Sequence, residues 1–118
     1  MAERIAAQRI GGVSAEGTSG DDFHVVNPAD GSVVATLELA SPADVNAAVE
    51  AAVHAQKEWG SATPAERSAA LHRLAGILEA KAEEYAQTET LQTGKPIKLS
   101  REFDVPGSID NVAYFAGA

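Results

Sequence analysis

Cysteine is missing altogether from the 118 residues. Its absence excludes three chemistries together: disulfide staples, thiolate metal sites and a thiol nucleophile. Large side chains are scarce as well. Only three Phe, two Tyr, one Trp and one Met stand in a chain that is 45% hydrophobic, and alanine is its commonest apolar residue. Alanine favours helix but buries little area per residue, so the core these residues can build alone is thin. Helices with such shallow stripes read as elements that pack against something larger, a sheet that this sequence does not contain.

Basic charge is the next deficit. Nine Lys and Arg face seventeen Asp and Glu, for a net charge of −8 at pH 7, and the basic residues form no run. Nucleic acid and anionic membrane surfaces reward clustered Lys and Arg, so neither is expected as a partner. No apolar run approaches the roughly 18 residues that span a bilayer. Met1–Ile5 lack the apolar core of a signal peptide, so a soluble, cytoplasmic chain is expected. No Gly-x-Ser-x-Gly elbow supports a serine hydrolase. The glycines from Gly11 to Gly20 do not make a phosphate loop, because no helix opens directly after them and no Lys-Ser/Thr pair closes them.

What is present divides by composition near Ser41, a layer boundary within one domain of ordinary size. Residues 1–40 read as strands. Arg9–Val13 is one weak strand and Ser14–Asp22 a loop. Phe23–Val26 and Val33–Leu37 are β-branched strands joined through Asn27-Pro28-Ala29-Asp30-Gly31, where Pro28 fixes φ and Gly31 accepts a positive one. Residues 41–118 read as helices. Ser41-Pro42-Ala43-Asp44 offers an N-cap hydroxyl, a proline at the first helical position and a first-turn carboxylate. Val45, Ala48, Val49, Ala52, Val53 and Trp59 then share one face, with Trp59 ending the helix before Gly60 as an apolar anchor. Thr63-Pro64-Ala65-Glu66 is a capping box, followed by Leu71, Leu74, Ala75, Leu78, Ala82 and Tyr85 at helical spacing. A single helix to Thr93 would exceed the usual length, so a kink near Ala80–Ala82 is expected. Gly94 and Pro96 stop it. A last helix starts near Pro106, with Ile109, Val112, Ala113 and Ala116 inward.

Chemistry-bearing residues are sparse. His24, His54 and His72 share no ligand spacing and read as structural. Asp21-Asp22 and Glu83-Glu84 show no sign of the convergence that paired catalytic carboxylates need. Lys95, beside a helix C-terminus, reads as a partner of the helix dipole.

Three separated landmarks carry a resemblance. Glu89-Thr90-Leu91-Gln92-Thr93-Gly94-Lys95-Pro96, Asn27-Pro28-Ala29-Asp30-Gly31 and Tyr114-Phe115-Ala116-Gly117 stand in the order found in the amino-terminal region of NAD(P)-dependent aldehyde dehydrogenases. The two capped helices, with Trp59 followed by Pro64, Glu66 and Arg67, agree. The stretch Arg101–Asn111 resembles most the branch acting on 4-aminobutyraldehyde and betaine-type aldehydes. The resemblance implies an α/β fold: an N-terminal β-hairpin plus packed α-helices, an incomplete piece of a Rossmann-like dinucleotide-binding domain spanning residues 1–118. It implies oxidation of an aldehyde to the acid with NAD or NADP, in a homo-oligomeric parent enzyme. In that family a cysteine forms a thiohemiacetal, hydride passes to the nicotinamide, a glutamate drives hydrolysis, and an asparagine and a backbone amide hold the oxyanion. None of these has a counterpart here, so no catalytic or cofactor-binding residue is assigned, no cofactor is expected for this chain alone, and it is expected to be inactive by itself. A monovalent cation site is implied in part: carbonyls of Val25 and Val26 and the carboxylate of Asp104, which by position alone is a helix N-terminal charge. The alternative from the residues themselves is a non-catalytic helical module that docks on a partner chain.

Overall fold

The computed structural model describes residues 3–118. They cluster into two units divided after Ser61, while strands give way to helices between Glu38 and Pro42, where the composition changes.

In the first unit, β4 (Asp22–Val26) and β5 (Val33–Glu38) form the expected antiparallel hairpin, and β1 (Glu3–Arg4) adds in parallel to the other side of β5. The turn is tied internally. Asn27 Oδ1 accepts from Ala29 N at 2.9 Å, and Asn27 N donates to Ser32 O at 2.8 Å. The register slips by a residue between Val25 and Val26, a bulge at the turn end of β4. The expected single strand Arg9–Val13 is instead two, β2 (Gln8–Ile10) and β3 (Val13–Ala15), paired from Ile10↔Val13 outward. The reason is the Gly11-Gly12 pair: φ is 58° and 84°, as a two-residue hairpin turn matched to strand twist demands. Farther along, Gly17 sits where any Cβ would collide with the carbonyls of Glu38 and Leu39, so this glycine serves close chain packing. α1 (Pro42–Ser61) follows and runs through Gly60 rather than stopping before it.

The second unit is helical. α2 (Pro64–Ala80) opens on the reciprocal bonds of Thr63 and Glu66. Lys81, at φ −109°, breaks the run at the expected place, and α3 (Ala82–Thr93) continues to a left-handed Gly94 whose N–H reaches Thr90 O at 2.9 Å. The following helix begins earlier than expected. α4 (Ile97–Leu99) leads into a π-helical turn, Ser100–Asp104, and then α5 (Val105–Ala116). A proline ring clashes with the carbonyl four residues back; the wider turn, closed by Val105 N–H on Ser100 O, lets the helix pass Pro106 without stopping.

Burial is shallow throughout. Among the described residues the buried hydrophobic ones are Ala35, Ala75, Ala86, Val105 and Ala116, all small. Along α1, Val45, Val49 and Val53 remain more than half exposed, at 54%, 57% and 61%. Trp59, in the last turn of α1, is 44% exposed. Of the α5 positions expected inward, Ile109, Val112 and Ala113 are half-buried and Ala116 is buried.

Candidate functional site

The helical unit holds a cleft of about 470 Å³, with Leu78, Tyr85, Glu89, Lys95, Asp104 and Ile109 among its walls. Lys95 stands at its polar end. Its Nζ donates to Asp104 Oδ2 at 2.6 Å and lies 2.9 Å from Glu89 Oε1. The hydrogen bond to Asp104 and then that to Glu89 raise the lysine above its ordinary pKa. An amine held protonated in this way is no nucleophile at neutral pH, which leaves Lys95 a structural cation. It does more than meet the dipole of α3: it ties the last turn of α3 to the start of α5. The sequence showed the lysine but not its partners, one of which lies nine residues away across the π-helical turn.

Around this triad the connections are polar and local. Ser100 is fully buried, and its hydroxyl meets Thr90 Oγ1 at 2.9 Å. Arg101 donates twice to the Glu83 carboxylate, at 2.8 and 2.6 Å, and Gln87 adds a third bond. Together the Arg101 and Gln87 bonds pull Glu83 down to about 2.

The first unit has two hubs of its own. Arg4 reaches Glu16 and Asp22 at 2.9 Å and Glu38 at 3.3 Å. Asp44 Oδ2 accepts from Ser41 N, Thr18 N, Thr18 Oγ1 and Gln8 Nε2, within 2.8 to 3.3 Å. The Ser41 backbone bond first, then the Thr18 hydroxyl, hold Asp44 well below the usual carboxylate range. Asp44 was legible as a first-turn acid, but nothing in the spacing revealed that Gln8 and Thr18 converge on it. Arg4 carried no signal at all. His24 shares a hydrogen bond with Thr36 at 3.0 Å across β4 and β5. His54 and His72 lie exposed on α1 and α2.

Of the residues singled out for a cation, Val25 and Val26 lie on β4 in the first unit, opposite Ala35 and Val33. Asp104 belongs to the second unit. Carbonyl oxygens with a carboxylate are the donors a hard cation prefers. The Asp104 carboxylate is already paired with Lys95. The glycine-bearing loop does not suit a dinucleotide phosphate. Gly17 faces carbonyls, and Glu16, Asp22 and Glu38 gather around Arg4 nearby, so the field favours cations. Among the described residues no helix is long and apolar enough to cross a membrane.

Comparison with known proteins agrees with this architecture. The aldehyde dehydrogenase family model matches residues 15–118. The gamma-glutamyl-gamma-aminobutyraldehyde dehydrogenase of Burkholderia cenocepacia J2315 is 38% identical over 100% of this chain and 24% of its own, with a TM-score of 0.90. The NAD-dependent benzaldehyde dehydrogenase of Corynebacterium glutamicum is 36% identical over 92% of this chain and 24% of its own, with a TM-score of 0.88. PnpE from Pseudomonas sp. WBC-3 is 38% identical over 99% of this chain and 23% of its own, at a TM-score of 0.89, and PnpE has also been solved with nicotinamide adenine dinucleotide. The 118 residues thus span about a quarter of the length of these solved chains, matching their N-terminal part. They belong to the aldehyde dehydrogenase family.

Proposed function

We propose that these residues form the N-terminal shell of an enzyme that oxidises an amino- or betaine-type aldehyde to its carboxylic acid with NAD or NADP. On this reading they do not catalyse the reaction alone. The observation that carries it is the exposed apolar stripe of α1, Val45, Val49 and Val53, in a chain that matches only a quarter of its relatives' length. A stripe of that kind asks for cover. The substrate class rests on the stretch Arg101–Asn111 and on similarity along the whole chain to a protein described as acting on gamma-glutamyl-gamma-aminobutyraldehyde. The parent is a cytoplasmic homo-oligomer. NAD or NADP is held by residues outside these, since the loop around Gly17 does not fit a phosphate. The carbonyls of Val25 and Val26 and the Asp104 carboxylate contribute to a monovalent cation site completed by a ligand outside these residues.

The test is direct. Purified chain is mixed with NAD or NADP and with 4-aminobutyraldehyde or betaine aldehyde, and reduced nicotinamide is followed by absorbance. Any turnover refutes the inactivity. A second reading, a non-catalytic helical module that docks on a partner chain, draws on the same exposed stripe. Hydrogen exchange separates the two. Protection of α1 on mixing with a full-length aldehyde dehydrogenase, and not with unrelated helical proteins, supports the shell.

A further inference from the structure

The sequence contains one Asp–Gly step and no Asn–Gly step, and that Asp30–Gly31 pair lies exposed in the turn between β4 and β5. Such a pair is chemically vulnerable, because glycine has no side chain to hinder its own nitrogen from attacking the preceding carboxyl group. Nothing lies within 4 Å of the place a Gly31 Cβ would occupy, so the surroundings add no barrier.

Two contacts oppose the reaction in the folded turn. Gly31 N–H donates to Asn27 O at 2.8 Å, and the nitrogen must release that proton to act as a nucleophile. Asp30 Oδ1 accepts from Ser32 N at 2.9 Å and from Ser32 Oγ at 2.6 Å. Those bonds favour the ionised carboxylate, which is a poor electrophile because oxide does not leave; the Ser32 hydroxyl and then its amide hold Asp30 below its ordinary pKa.

We propose that Asp30–Gly31 is a latent site of aspartate isomerisation, kept shut by the Asn27–Ser32 turn and released when the β4–β5 hairpin frays. In the open turn the Gly31 nitrogen attacks Cγ of the neutral Asp30 carboxyl. The N–Cγ bond forms, the carboxyl hydroxyl departs with the amide proton as water, and a five-membered succinimide results. Water then adds to one of the two imide carbonyls. One cleavage restores aspartate; the other routes the main chain through the former side chain as isoaspartate. Only water enters or leaves. Fraying is favoured at this end, since β4 is an edge strand paired on one side only, β1 meets β5 only at Ala35 and Thr36, and Phe23, Val26 and Val33 are 52%, 42% and 42% exposed. The product adds a methylene to the main chain of the turn that sets the pairing of β4 with β5.

The full chain is incubated at neutral pH, folded and in concentrated urea, with circular dichroism recording the state. Isoaspartate is counted by enzymatic methyl transfer from S-adenosylmethionine and located by electron-transfer mass spectrometry. At residue 30 it accumulates several-fold more slowly in the folded chain than in urea. Ser32→Ala raises the folded rate several-fold and leaves the urea rate unchanged, and Asp30→Glu removes the signal. Equal folded and unfolded rates, or a folded rate indifferent to Ser32→Ala, overturns the brake. No isoaspartate at residue 30 in urea overturns the site.

Discussion

Residues 62–118 bury Ala75, Ala86, Ser100, Val105 and Ala116, whereas among the described residues up to Ser61 only Ala35 is a buried hydrophobic side chain. The helical unit is closed by small residues that let backbones approach. The strand-bearing unit is closed by polar hubs: exposed Arg4 on three carboxylates, and half-buried Asp44 on four donors. Alanine and serine contacts give shape without much hydrophobic area, and exposed ion pairs give register without much energy. Neither device suffices for a large stability, which fits elements shaped to be covered by further structure.

The sharpest way to break this contrast is to overfill the helical unit. Ala86 has no exposed surface. Ala86→Leu forces an isobutyl group into that contact, and overpacking of this kind costs about 1–3 kcal/mol. Amide protection of α2, α3 and α5 is expected to fall while the β4–β5 hairpin keeps its own. If the hairpin amides lose protection equally, the two units are not held separately and the comparison fails.

The complementary change is Arg4→Met, which keeps an apolar stem but leaves Glu16, Asp22 and Glu38 without their shared cation. Three unpaired carboxylates around one strand repel, so β1 should leave β5. The readout is the Ile5 amide, which donates to Thr36 O at 2.9 Å. Unchanged exchange at Ile5 would mean the backbone pairing holds without the hub.

How far these features were legible follows from their range in sequence. The Asn27–Gly31 turn and the Thr63/Glu66 capping box are set by residues within a few positions and were readable from them, whereas the break at Lys81 was expected only from the length of the run. Gly11-Gly12 was misread as strand interior because a Gly pair marks either a weak strand or a tight turn, and only the pairing of Ile10 with Val13 decides. The π-helical turn was missed because Pro106 ordinarily starts a helix rather than sits within one. Arg4, Gln8 and Thr18 were invisible as partners, since long-range convergence leaves no periodic trace.

Acid titration sharpens the comparison with a smaller effect. Asp44 is lowered from an ordinary 3.8, so its contribution is complete above that value and is lost as pH falls below it. Glu83 is lowered from 4.5 to about 2, and its contribution disappears across that interval. Both units therefore weaken on acidification, through different residues. Asp44→Asn is expected to flatten the pH dependence of protection at the start of α1 and to leave α3 unaffected. A retained slope in α1 would mean that Asp44 does not carry the acid sensitivity of this helix start.

Lys95→Met is expected to have the smallest effect on stability. It removes a half-buried cation from between Glu89 and Asp104, whose carboxylates remain open to water, and such solvent-screened pairs contribute little. What remains is repulsion between two carboxylates, which salt screens over about 10 Å at 0.1 M. The variant should lose protection at the first turn of α5 in dilute buffer and regain it at high ionic strength. The identity of the salt adds a second reading. If Asp104 meets a monovalent cation, freeing it from Lys95 should make potassium or sodium restore protection at lower concentration than tetramethylammonium, which cannot shed its methyl groups to meet oxygen donors. Equal potency of the three cations would reduce the effect to screening, leaving Asp104 as the partner of Lys95 and the charge at the start of α5.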